Sequence, residues 1–336
     1  MSGRPRPASA TGERGFSLIE LMIALALGLI VVLAASAVFL SNKQSYRTNL
    51  ALGQVQENSR IAYELLARDI RQAGLTGCGN SGRIANVLNN QTTDWWANFG
   101  NAIRGYEGDQ DDPAVTEGGA SAQRVVGTDS LQLIGVTDSG LSVVSHHYQA
   151  AELKINETTT EVADGDVVVV CDPDHAAIMQ IQYNSSNVTV RHNTGTGSPG
   201  NCSKGLGFPT LCTTLGSEYE FGRNSQIARL NAVDWYIGNN PLGGRSLYRI
   251  AVVNSAGVPT PTAQEMVRNV TDMQLTYHVA GASDFVTAAA VTTAGSWGST
   301  NAVRLTLTLR SSEQMAGTDT QPIVRQVSFP VNLRNR

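Results

Sequence analysis

Glu20 is the residue that most needs a chemical explanation. It is the fifth residue of an otherwise uncharged run, Phe16 to Leu40, reading FSLIELMIALALGLIVVLAASAVFL. A carboxylate near a membrane core costs on the order of 2.5 kcal/mol or more, so such an acid is read first as functional. Near the interface it could merely snorkel. Deeper, it needs a cation, and the run contains none. Hydrolysis of the Gly15–Phe16 bond would supply one, a new α-amine on Phe16. Glu20 is badly placed for the amine of its own helix. The amine of a neighbouring copy, displaced by about one helical turn, would reach it.

Other groups offer weaker chemistry. Cys78, Cys171, Cys202 and Cys212 allow three disulfide connectivities. The short Cys202–Cys212 loop costs little entropy to close, which favours that pair and leaves Cys78–Cys171 to tie a helix end to a sheet. A four-Cys zinc site is disfavoured because no C-x₂-C pair exists. His146 and His147 adjoin on an expected strand, where neighbours face opposite sides and chelate poorly. Asp172-Pro173-Asp174-His175 follows a strand and reads more readily as an Asx turn than as a ligand set. Asp109-Gln110-Asp111-Asp112 lacks the Gly and terminal Glu of a calcium loop. Ser198 precedes a proline and does not sit in a G-x-S-x-G elbow. Trp95, Trp96 and Phe99 form either a partner or ligand patch or the anchor of a loop on its own core. No catalytic residue, cofactor or metal is expected.

Composition narrows the classes further. Charged residues are 15% of the 336, well below the roughly 25% of ordinary soluble domains. The net charge of −4 provides no field for gripping phosphates, so nucleic acid is not an expected partner. No P-loop is present, which argues against an ATP-driven motor.

The elements that position Glu20 follow from hydropathy. Twenty-five helical residues, 16–40, span roughly 37 Å, enough for a bilayer core of about 30 Å. A secretory signal would have a shorter apolar region and a small-residue cleavage site. Residues 1–15 carry Arg4, Arg6 and Arg14 against Glu13, so this end should stay cytoplasmic and the bulk of the chain outside. Without residues 1–15, the remaining 321 residues carry 21 basic and 27 acidic side chains, a net charge of −6. From Ser41 the apolar positions Leu50, Leu52, Val55, Ile61, Leu65, Leu66 and Ile70 recur at helical spacing, and Glu64 and Arg68 are an i,i+4 pair. One helix of about 58 residues, Phe16–Ala73, is expected, bent near Gly28 or Gly53 and stopped by Gly74.

Residues 75–336 read as a β-rich head. Strands are expected at 131–136, 166–171, 229–237 and 245–253, with a hairpin between 176–183 and 187–191. Alternation is cleanest at Met273–Val279, Val303–Leu309 and Val327–Leu333, which argues for antiparallel strands with one wet face. Pro330 should lie at an edge or bulge. Residues 261–269 read as a short helix or turn. Residues 79–128 read as a long insertion with some structure, 193–225 as an irregular insertion and 281–300 as a loop.

The string Gly15-Phe16-Ser17-Leu18-Ile19-Glu20, after a short basic leader and before an apolar helix, resembles the class III signal of type IV prepilins. The resemblance implies cleavage after Gly15 by prepilin peptidase and methylation of the new N-terminal Phe16. It also implies pairing of Glu20 with the amine of an adjacent subunit. The size of the head, Asp69–Gly74 leading to Gly77-Cys78, the run Gly165–Cys171 and the end Leu333-Arg334-Asn335-Arg336 resemble the PilW family of minor pilins. Its relative in type II secretion is the GspJ pseudopilin. That family implies an α+β pilin-like fold, a long N-terminal helix packed on a mainly antiparallel sheet.

The chain then divides into a cleaved leader (1–15), a transmembrane and polymerisation helix (16–40), its amphipathic continuation (41–74) and a periplasmic head (75–336). The resemblance implies a non-enzymatic subunit of a complex that primes pilus assembly and ends at the pilus tip. Its partners would be other minor pilins, the major pilin, prepilin peptidase and a tip adhesin. It would sit in the inner membrane first and in the pilus afterwards. The rival readings are a GspJ-type pseudopilin and a membrane-anchored periplasmic binding module or adhesin; an anchored hydrolase is disfavoured by the lack of a triad or carboxylate pair.

Overall fold

The computed structural model describes residues 15–78, 82–317, 319 and 321–334. The basic segment 1–14 and the last two residues lie outside this description. Among the described residues a long helix, α1 (Leu18–Gln72), leads into fifteen strands. Ser17 precedes it in extended conformation, so Phe16 and Ser17 stay outside a helix that runs for 55 residues rather than about 58. Gly28 and Gly53 both lie within it. Gly74, at φ +76°, turns the chain, and its N–H donates to Ile134 O at 2.8 Å.

The buried stripe of α1 is Ala51, Val55, Ser59, Ala62, Leu66 and Ile70, continued by Ala73 just past its end. Small side chains carry much of it, which lets the sheets approach closely. Leu50 and Ile61, expected on this face, are exposed. Their bulk misled because the true stripe advances by three and four through alanines. Glu64 pairs with Arg60 at 2.9 Å, and Arg68 instead approaches Asp69 at 3.5 Å.

The larger sheet is built on two long antiparallel strands. In chain order its members are β1 (Ile84–Asn86), β2 (Ile103–Tyr106), β3 (Ser130–His147), β4 (Glu152–Ile155), β5 (Val167–Cys171), β6 (Ala176–Gln180), β7 (Gln182–Tyr183), β8 (Thr189–Arg191), β9 (Gln226–Asn239), β10 (Arg245–Ser255) and β11 (Val258–Arg268). β3 and β9 pair from Ser130↔Tyr236 to Ser142↔Gln226. Each changes its outer neighbour half-way: β3 pairs with β2 and then β4, β9 with β5 and then β10. The two strands therefore run through two packed lobes. β1 pairs with β6 in parallel, against the antiparallel rule of the remaining pairs.

A second sheet holds β12 (Val270–Val279), β13 (Phe285–Val286), β14 (Thr300–Arg310) and β15 (Val324–Asn332), in the order β13-β12-β14-β15. Pro330 lies on its outer strand. The near core joins α1 (Leu66, Ile70) to Leu133, Trp235 and Leu247 of one sheet and Met273, Leu305 and Val331 of the other. In the far lobe, β5 is buried on both faces. Val168 and Val170 enter one cluster, Val169 and Cys171 the other. Such two-sided burial explains its unbroken apolar run.

Two expectations about irregular segments are corrected. Residues 261–269 belong to β11, paired with β10 from Ser255↔Val258 onward. Pro259 and Pro261 are tolerated because β10 is the strand recorded beside β11, and an outer strand has N–H positions free of ladder bonds. Residues 281–300 contain β13 and a short helix, α2 (Ala288–Thr293), capped by Thr287 Oγ1 accepting from Ala290 N. By contrast, 192–225 contains no helix or strand. The segment 176–183 is broken at Ile181 into β6 and β7.

Candidate assembly site

The first part of α1 stands clear of the head. Residues 18–40 are exposed along their whole length, and Phe16 before them is 85% exposed. This segment is long and apolar enough to cross a membrane. Glu20 lies in its first turn, and its backbone N–H bonds Ser17 O at 3.0 Å. The acid is thus held one turn from Phe16, with its carboxylate on the exposed surface of the rod. Such a rod buries its apolar surface only against lipid or other helices.

The head takes hold of α1 at Gln44. Its amide donates to Met315 O and Gly317 O at 3.0 Å, and Thr48 Oγ1 donates to Ala316 O. At the far end Asp69, 3% exposed, accepts through one oxygen from Trp235 Nε1 at 3.1 Å and Arg249 Nε at 2.9 Å. The helix stops there because Gly135 allows the Gln72 carbonyl against β3; a Cβ at Gly135 would lie 2.3 Å from that oxygen.

Two family models match the chain. The prokaryotic N-terminal methylation motif covers residues 11–36. The type IV pilus-assembly protein W model, PilW, covers residues 234–330. The chain is thus similar to PilW over its last strands and to the methylation motif at its first helix. No curated protein and no solved structure matches the chain.

The PilW match begins at Asp234 in β9 and ends at Pro330 in β15. It therefore covers several of the strands that grip α1, including Trp235 and Arg249, but not β3, which meets the helix end at Gly135. The far lobe lies outside it. The methylation motif covers Gly15, Phe16 and Glu20 and reaches well into the exposed rod. Together with the long apolar helix and β-rich head, these matches make the chain similar to pilin-like components of type IV pilus assembly.

The remaining candidate groups have structural places. Cys78 is bonded to Cys171, with Cα atoms 5.8 Å apart, and Cys202 to Cys212, 4.9 Å apart. The first bond ties the chain just after α1 to β5. Trp96 and Phe99 are buried against Ile134 and Ile178, so they anchor their loop on the core. Asp172 Oδ1 accepts from the N–H groups of Asp174 and His175, an Asx turn. Asp112 is buried, accepting from Ser130 Oγ and Gln132 Nε2. Beside it Asp234 is fully buried, and desolvation together with the Asp112 charge holds its carboxyl well above the usual range. Among the described residues no group of three or more His, Cys, Asp or Glu side chains is arranged to hold a metal ion.

Sequence reasoning missed Asp69. Its signal was present: Asp69 follows Ala62 and Leu66 on one helical face and precedes Ile70, so an acid lay on the apolar stripe. It also missed the pairing of His146 with His192, whose Nε2 atoms are 3.2 Å apart. Strand alternation separated His146 from His147 but could not supply a partner 46 residues away.

Proposed function

We propose that this chain is a minor pilin that helps prime type IV pilus assembly in the inner membrane and is retained at the pilus tip. The observation that carries this is Glu20, the lone charge of an exposed apolar rod, one turn from the Gly15–Phe16 bond.

Prepilin peptidase cuts after Gly15 and the new Phe16 amine is methylated. The rod, 16–40, holds the subunit in the membrane with its head in the periplasm. Glu20 then attracts the N-terminal amine of a neighbouring pilin. In a low-dielectric setting that attraction is strong, and each unpaired charge is penalised, so pairing also sets the stagger between helices. The rods bundle as they leave the lipid. The wide, two-lobed head leaves little room for a further subunit above it, which suits an end position. The role is structural, not catalytic, and the partners are other minor pilins, the major pilin and a tip adhesin.

Intact mass and N-terminal sequencing of the protein from its native cell test the first step. A chain beginning at methylated Phe16 supports the reading; an intact Met1 start overturns it. Glu20→Gln tests the second step. The variant should accumulate with a folded, processed head yet be lost from sheared pili. Normal incorporation at normal protein levels would sink the Glu20 mechanism.

A further inference from the structure

The far lobe holds three histidines against one segment. His146 is the second-last residue of β3, His192 follows β8, and His175 closes the Asx turn; all three are buried. Each touches, or supports a residue that touches, the strandless segment 193–225. His146 Nδ1 accepts from the Phe221 N–H at 3.0 Å. His175 Nε2 donates to Leu206 O at 2.6 Å and its ring lies on Tyr219. His192 meets His146 through Nε2.

These contacts determine where the protons are. Because Nδ1 of His146 accepts, its proton sits on Nε2. That Nε2–H donates to Nε2 of His192, so the His192 proton sits on Nδ1. His192 Nδ1 is buried without a hydrogen-bond partner. Both rings are therefore neutral in the folded lobe. A shared metal is inconsistent with this arrangement. A metal-bound imidazole directs its other N–H toward an acceptor, whereas His146 Nδ1 faces a donor.

A proton added to either ring has no good place. On His146 it would occupy Nδ1 and face the Phe221 N–H. On His192 it would set two N–H groups against each other across 3.2 Å. No carboxylate is free to compensate. Asp172 accepts from Tyr219 and two backbone N–H groups. Glu220 lies toward Tyr148 N and His147. His147 beside His146 and Lys204 near His192 oppose a further proton, and the carboxylate of the adjoining β4, Glu152, stands in register with His147 and Arg191. Burial accordingly pushes His146 down to about 4 and His192 to about 3.

We propose that the His146–His192 pair is an acid-released latch for the segment 193–225. At neutral pH the pair holds Phe221 and closes the lobe. On acidification the rings take up protons only by opening, which frees the segment that bears the Cys202–Cys212 bond and the exposed Phe208, Leu211 and Leu215. The near core contains neither histidine and stays closed.

Hydrogen exchange of the full chain in detergent, corrected for intrinsic rates, tests this directly. Between pH 7.5 and pH 5.0 the Phe221 amide should open on the order of 10³-fold more, as proton linkage to two histidines at about 30-fold each predicts, while β12 and β14 stay protected. In His146→Asn the Oδ1 atom can still accept from Phe221 but cannot titrate, so the acid response should fall to the roughly 30-fold that His192 alone supplies. Equal opening of 193–225 and β12–β14 in the wild type, or no opening at pH 5.0, overturns the latch. That comparison needs no variant, so a misfolded His146→Asn leaves it decisive.

Discussion

Asp69 accepts a hydrogen bond from Arg249 at 2.9 Å, across 180 residues of chain. The pair couples the end of the long helix to the middle of β10. Asp69 is almost inaccessible to solvent, and the same oxygen also accepts from Trp235. Asp69→Ala should therefore destabilise the head by about 1.5–3 kcal/mol, because it takes the charged acceptor from Trp235 and from the half-buried Arg249, which keeps a 3.4 Å contact to Asn231 Oδ1. Asp69→Leu combined with Arg249→Met should cost less than the sum of the single changes. Denaturant midpoints for the four proteins give the coupling; additive costs would mean that the pair contributes nothing as a pair.

The helix terminus depends on a missing Cβ. Gly135→Ala would press a methyl group to within 2.3 Å of Gln72 O, a backbone atom that cannot swing away. A loss of about 1–3 kcal/mol is expected, as for other overpacked sites. Gly119→Ala meets no atom within 4 Å and should be near neutral. Thermal unfolding of the two variants side by side checks this.

The two disulfides should differ in their contributions. Cys78–Cys171 closes a separation of 93 residues and Cys202–Cys212 one of 10. Chain-entropy scaling gives about 5 kcal/mol for the first and about 3 kcal/mol for the second. Replacing each pair with alanine and comparing urea midpoints measures the order. The reverse order would show that native contacts, not loop closure, dominate.

Asp129 makes the head less stable as pH rises. Its buried carboxyl accepts from Leu275 N at 2.7 Å, yet desolvation pushes it up to about 6. A raised acid favours the protonated folded state. The benefit is complete below about pH 4, where the unfolded carboxyl is also protonated, and fades as pH climbs past 6. Asp129→Asn should recover about 1–3 kcal/mol at pH 7.5 and nothing at pH 4. Denaturation of both proteins at the two pH values tests the sign.

Much of the architecture was legible because its signals are local. The apolar run 16–40, the helical spacing beyond it and the turn at Gly74 all lie within a few residues of what they shape. Val303, Leu305, Leu307 and Leu309 alternate with polar neighbours, and β14 buries that face. The β11 strand was obscured by Pro259 and Pro261, whose meaning depends on which edge of the strand is paired. In the helix, bulky Leu50 and Ile61 outweighed the alanines that make the buried face.

What the amino-acid order alone determined is the rod and its chemistry: one acid in an apolar helix, a preceding Gly-Phe bond and a β-rich head behind them. These rest on periodicity and charge, which short windows of chain carry. Tertiary structure alone decided that Asp69 meets Arg249, that His146 meets His192, and that β3 and β9 run through two lobes. Each is a meeting of residues far apart in sequence. Burial then changes the energy of a charge or a ring nitrogen by several kcal/mol, and no local pattern records which groups share that burial.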